Sequence, residues 1–229
     1  MTPSDPDRPH LDAGDAERLE ACIAGGGVVL FPADTVYGLA CDPLQSQAVE
    51  RLYELKGRPH ARPAAVMFFA LASALQALVE LGPRERAALE TLLPGPLTVL
   101  LPNPARRFPL AAAGSQVLGV RVPLLPPRLR ALAAVTRPVM QSSANISGEP
   151  EARRLDEVPR ALRERADLVL DGGELPGIAS TVLDLREYEH RGQWRIVRDG
   201  PLRQAELEQA LSASTRGTQA PRPPSRGLS

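Results

Sequence analysis

Short apolar runs alternate along this chain with longer stretches in which apolar residues recur every three to four positions, and the two rhythms predict strands and helices. Asp12 opens a helix whose apolar positions Ala16, Leu19, Cys22 and Ile23 share one face, and Gly25 stops it. A second helix spans Gln45 to Lys56, with Val49, Leu52, Tyr53 and Leu55 as its stripe. Further helices are expected over Ala72 to Glu80, Pro83 to Leu93 (opened by its proline), Pro127 to Val135, Leu155 to Arg165 and Gln204 to Leu211. The apolar runs predict strands at Val28 to Phe31, Ala65 to Phe69, Leu97 to Leu101, Val117 to Val122, Pro138 to Gln141, Leu168 to Asp171, Thr181 to Leu185 and Trp194 to Arg198. Strands interleaved with helices indicate an α/β domain. The later strands lack long crossovers, so a single twisted mixed sheet with flanking helices is expected.

The pattern also sets the domain limits. Residues 1–11 read as a disordered lead and 12–211 as the folded domain, one domain being ordinary for a 229-residue chain. Residues 212–229, SASTRGTQAPRPPSRGLS, offer almost nothing to bury and read as a disordered tail.

Lys and Arg balance Asp and Glu at 27 each, which argues against a generally basic nucleic-acid coat while leaving room for a local cationic cleft. Aromatics at 3% supply few stacking platforms for single-stranded nucleic acid. No apolar run is long enough for a membrane span and MTPSDPDRPH lacks a secretory h-region. The two cysteines, Cys22 and Cys41, form no CxxC and no zinc spacing with histidine, so a reduced, cytoplasmic setting is expected.

Several chemistries lack their residues. There is no GxxxxGK[ST] and no GxSxG, and Gly25-Gly26-Gly27 precedes its strand instead of following it. His10, His60 and His190 have no spacing that builds a triad or a metal site. What remains is a set of polar segments at strand ends, where α/β folds hold ligands. Phe31 to Leu39, FPADTVYGL, places Asp34 and Thr35 after a proline, as a turn and cap or as a crevice wall. Lys56, Arg58 and Arg62 fall within KGRPHAR, whose prolines stiffen it. The three cations either clamp a polyphosphate or complement a helix C-terminus. Gln141 to Gly148, QSSANISG, is either a hydrogen-bonding cradle or a self-capping turn. Arg121 is a lone cation in the apolar LGVRVP and needs a partner, either a structural carboxylate or a ligand carboxylate; with no acidic neighbour in its strand, the ligand is the economical one. Ser180 and Arg198 lie at two further strand edges.

Taken in order, FPADTVYGLA, KGRP, PGPLTVLL, VRVP, SSANISG, STVLD and IVRDG resemble the YrdC-type threonylcarbamoyl-AMP synthase family, from about Gly25 to Leu202. The resemblance implies a twisted α/β sheet around a cationic cavity. The implied enzyme is a nucleotidyltransferase that joins L-threonine, bicarbonate and ATP, with Mg²⁺ arriving on ATP and no protein-only metal site. It releases pyrophosphate and passes threonylcarbamoyl-AMP to a tRNA-modifying complex that makes threonylcarbamoyladenosine. By position, Lys56 and Arg58 (KxR) with Ser143 and Asn145 (SxN) are the catalytic set and bind the nucleotide, joined by Arg62 and Arg198. Thr35, Arg121, Gln141 and Ser180 hold threonine, Arg121 through its carboxylate. The chain departs from the family at Ala33, Ala64, Met67, Gln141 and Glu151, where Thr, Leu, His, Thr and Ser are usual. The nucleotide positions are mostly kept, while the amino-acid positions are partly altered. A reading from another class is a YrdC-like RNA-binding module that has lost or changed the synthase activity, with direct tRNA contact. Threonine-dependent pyrophosphate release separates the two.

Overall fold

The computed structural model describes residues 9–57 and 62–218, with side chains up to residue 214. The first helix, α1 (Ala13–Ala24), is opened by Asp12 in a reciprocal capping box with Asp15 and closed by Gly25. Strands β1 (Val29–Pro32) and β2 (Tyr37–Cys41) form a hairpin and lead into α2 (Ser46–Lys56). Gly57, in the left-handed region at φ 56°, ends α2. Then follow β3 (Ala65–Met67), α3 (Leu71–Ala77), α4 (Pro83–Leu92), β4 (Leu97–Pro102), α5 (Pro109–Ala112), β5 (Val117–Arg121) and a 3₁₀ segment over Pro127–Ala134. The chain continues through β6 (Val139–Ser143), a 3₁₀ turn at Leu155–Glu157, α6 (Arg160–Arg165), β7 (Leu168–Val169), β8 (Thr181–Asp184), α7 (Tyr188–Arg191), β9 (Arg195–Arg198) and α8 (Gln204–Thr218).

The strands make one nine-stranded sheet in the order β7-β1-β2-β6-β3-β5-β4-β8-β9. It is mixed: β1 with β7, β3 with β5 and β4 with β8 are parallel, and the other neighbours antiparallel. Side chains alternate across a strand, so register decides which residues share a face. Gln141 lies opposite Ala40 and Ala65, Ala65 opposite Gly119, and Met67 opposite Arg121. Farther out Thr98 lies opposite Val182, and Val182 opposite Arg198. One face of the sheet therefore carries Gln141, Ser143, Arg121, Thr98 and Arg198 above a floor of Gly38, Ala40, Ala65 and Gly119. These small residues leave the face hollow. Leu39, Val66, Met140, Leu118, Val120 and Val99 point the other way and are fully buried in the core.

Several expectations need correction. Tyr37–Cys41 is a strand the apolar rhythm did not reveal, because all five residues are buried and no alternation marks it. Leu155 to Arg165 is not one helix. Pro159 removes a backbone donor and holds Val158 extended, so a 3₁₀ turn and α6 replace it. Leu11, placed in the disordered lead, donates its N–H to the Arg128 carbonyl at 3.0 Å and packs against the core. The last helix does not stop at Leu211, so residues 212–218 are not a structureless tail. There Ser214 is buried, its Oγ 2.8 Å from the Leu211 carbonyl and 3.4 Å from the Tyr188 hydroxyl. Residues 1–8 and 219–229 lie outside the described residues.

Candidate active site

Three side-chain clusters meet on the hollow face. In the first, Lys56 ends α2 with only 2% of its surface exposed. Its ammonium donates to the Ser143 carbonyl and, at 3.2 Å, to Asn145 Oδ1. The same Oδ1 accepts from Ser143 Oγ at 2.7 Å, and Asn145 Nδ2 donates to the Glu149 carbonyl. The fold thus joins the KxR lysine to both SxN residues across more than 80 positions of sequence. Truncating this buried lysine would take a donor from the Ser143 carbonyl and from Asn145 Oδ1.

In the second cluster, Arg121 is 4% exposed. Its expected lack of a protein partner is overturned, because Nη2 meets Asp34 Oδ1 at 2.6 Å. Nη2 also lies 3.4 Å from Thr35 Oγ1, and Nη1 donates to Gln141 Oε1 at 3.3 Å. Asp34 Oδ2 accepts from Leu124 N at 3.3 Å. Burial pushes the Asp34 carboxyl up and the Arg121 guanidinium down from their ordinary values, against their mutual attraction. One donor is left over. Arg121 Nε is buried and has no partner among the described residues. Gly38 makes room for this arrangement, since a Cβ there would meet Gln141 Nε2 at 2.5 Å.

In the third cluster, Ser180 Oγ lies 2.9 Å from Thr98 Oγ1, and Arg198 donates from Nη2 to the Ser180 carbonyl at 2.8 Å and to its Oγ at 3.2 Å. Gly200 permits the close crossing, because a Cβ there would meet Thr181 N at 2.3 Å. A cavity of about 180 Å³ runs between the clusters, lined by Arg121, Gln141, Ser143, Glu151, Ser180 and Arg198 among others. That is below the roughly 300–1,000 Å³ of drug-sized sites and suits a small amino acid better than a whole nucleotide.

One expected residue stands outside the three clusters. Arg62 is exposed, and its carbonyl, not its guanidinium, is engaged, by the Tyr53 hydroxyl at 2.7 Å. Arg58 lies outside the described residues. Conversely, Asp34, Thr98 and Glu151 belong to the site and were not assigned to it from sequence. Thr98 carried a signal, a lone hydroxyl in the apolar LTVLL. Neither cysteine is a candidate nucleophile, since burial pushes Cys41 up to about 12 and Cys22 above its ordinary value.

The family model for Sua5, YciO and YrdC proteins, described as telomere recombination, matches residues 21–200. This chain belongs to that family. The threonylcarbamoyl-AMP synthase of Pyrococcus abyssi is 34% identical over 191 residues, covering 82% of this chain and 55% of the Pyrococcus protein. The threonylcarbamoyl-AMP synthase of Xanthomonas campestris pv. campestris is 37% identical over 177 residues, covering 76% of this chain and 91% of its own length. The chain thus spans little more than half of one relative and nearly all of the other. The solved structure of P. abyssi Sua5 complexed with L-threonine superposes with a TM-score of 0.77 at 29% identity, over 89% of this chain and 59% of that one. Within the family, the joined lysine, serine and asparagine and the buried arginine all lie inside the matched segment.

Proposed function

We propose that this chain is a threonylcarbamoyl-AMP synthase, a nucleotidyltransferase that serves tRNA threonylcarbamoyladenosine synthesis. L-Threonine, bicarbonate and ATP give threonylcarbamoyl-AMP, pyrophosphate and water. The observation that carries this reading is the union of Lys56, Ser143 and Asn145 beside an amino-acid-sized cavity ending in Arg121. The threonine amine adds to bicarbonate, and an oxygen of the resulting carbamate attacks the α-phosphorus of ATP and displaces pyrophosphate. The protein's work is alignment and charge stabilisation, so no histidine base is required. Lys56, Ser143 and Asn145, with Arg58, Arg62 and Arg198, take the nucleotide, whose Mg²⁺ arrives with it. Thr35, Gln141 and Ser180 line the threonine subsite, and Arg121 offers its unpartnered Nε to the carboxylate while Asp34 holds Nη2 and Gln141 holds Nη1.

The product passes to a tRNA-modifying complex, and a cytoplasmic location fits that role; among the described residues no helix is long and apolar enough to cross a membrane. Pyrophosphate release from ATP and bicarbonate, measured with and without L-threonine, tests the reading. Release only when all three are present supports it, and indifference to threonine contradicts it.

A further inference from the structure

The amino-acid subsite carries an acid that the reaction as described does not use. Glu151 lines the cavity, with 23% of its side chain exposed. The backbone just after it is anchored. The Ala152 carbonyl accepts from Tyr37 N at 2.9 Å, and the Arg153 carbonyl from Leu175 N at 2.8 Å. Glu151 Oε1 stands 4.0 Å from Arg198 Nη1, at the outer limit of an ion pair and too far for a hydrogen bond. Arg198 spends its Nη2 and Nε on Ser180 instead. The other acid close by, Asp34, is already held by Arg121 and Leu124 N. The cavity wall thus presents two guanidinium groups and one incompletely paired carboxylate, around space for one small molecule. A carboxylate beside a site for a triphosphate is unfavourable unless a cation joins it. A zwitterionic amino acid brings that cation, while its own carboxylate faces Arg121.

We propose that Glu151 binds the α-ammonium group of the amino-acid substrate and so selects a zwitterion over a simple carboxylate. This rests on the synthase reading above. Carbamate formation needs the free amine, and a carboxylate favours the protonated form, so Glu151 acts on capture and not on turnover. Glu151→Gln preserves size and removes the charge, and the residue's partial exposure leaves the fold little affected.

Pyrophosphate release should be followed while L-threonine and ATP·Mg²⁺ are varied separately in wild type and variant. The expected result is a threonine KM raised at least tenfold, an ATP KM within twofold, and kcat unchanged or higher. 3-Hydroxybutyrate, which has the carboxylate and hydroxyl but no nitrogen, should inhibit the variant at least as well as the wild type. An unchanged threonine KM overturns the proposal. So does an equal weakening of threonine and 3-hydroxybutyrate, which would make Glu151 only a support for Arg198. An effect confined to ATP·Mg²⁺ overturns it too, by moving Glu151 to the metal or phosphates. Failure of the synthase reading is seen separately, as wild type that releases no pyrophosphate in response to threonine.

Discussion

The site holds its two buried cations in different ways. Lys56 donates to a backbone carbonyl and to an amide oxygen, which orient its ammonium. Arg121 rests against a carboxylate 2.6 Å away, and its buried Nε–H has no partner among the described residues. A cation oriented by dipoles suits a polyanion, where the attraction needed is large and loosely directional. A cation already neutralised suits a monocarboxylate that must be recognised by geometry, with little net charge to attract the wrong anion. On the proposed function, the nucleotide side of the site would then be built for charge and the amino-acid side for shape.

The sharpest way to break this contrast is Lys56→Ala. Activity should fall about 10²–10³-fold, the scale of losing one charge-stabilising donor, and ATP affinity should fall with it. Stability should drop by about 1–3 kcal/mol, because the Ser143 carbonyl loses the Lys56 donor and Asn145 Oδ1 loses one of its two. Pyrophosphate release and urea melts measure the two effects, and normal turnover of ATP would remove Lys56 from the phosphate site. Arg121→Lys should be smaller and one-sided. A lysine can keep Asp34 but not also supply the directed Nε, so the threonine KM should rise about tenfold with ATP KM little changed. If ATP affinity falls as far as threonine affinity, the two halves of the site are not distinct.

The smallest effect lies away from both halves and serves as a control. Asp184 on β8 is held down to about 2, first by hydrogen bonds from Arg186 and then by Arg195, from an ordinary 3.8. A folded-state value below the unfolded one gives stability that is present above about pH 4 and lost as pH falls toward 2. Solvent around the two arginines screens it to about 1 kcal/mol. Asp184→Asn should flatten the acid limb of a stability-against-pH curve by that amount and leave both KM values alone.

The parts of the site that were legible in sequence share a property: each is a short motif whose chemistry needs no distant partner to be noticed. KGR and SSAN announce cations and hydroxyls by themselves, and Arg121 stands out in an apolar strand. The partner of Arg121 was not legible, because Asp34 lies 87 residues away and only the sheet order, with β2 and β5 around β6 and β3, brings the two together. Strand β2 escaped because burial on both faces erases the period of two. The break at Pro159 and the run of α8 past Leu211 show the opposite failure. In one a helical rhythm overrode a proline signal, and in the other polar composition concealed a buried Ser214.

The central claim is that this cavity receives an amino acid beside a nucleotide and couples the two. It is tested most directly by pyrophosphate release from ATP and bicarbonate as L-threonine and L-serine are titrated in turn. Release should depend on the amino acid and bicarbonate together, with threonine preferred over serine by roughly 10–200-fold, the worth of one methyl group in an apolar pocket. Pyrophosphate release that ignores both amino acids, or its complete absence with all three substrates present, would contradict the account.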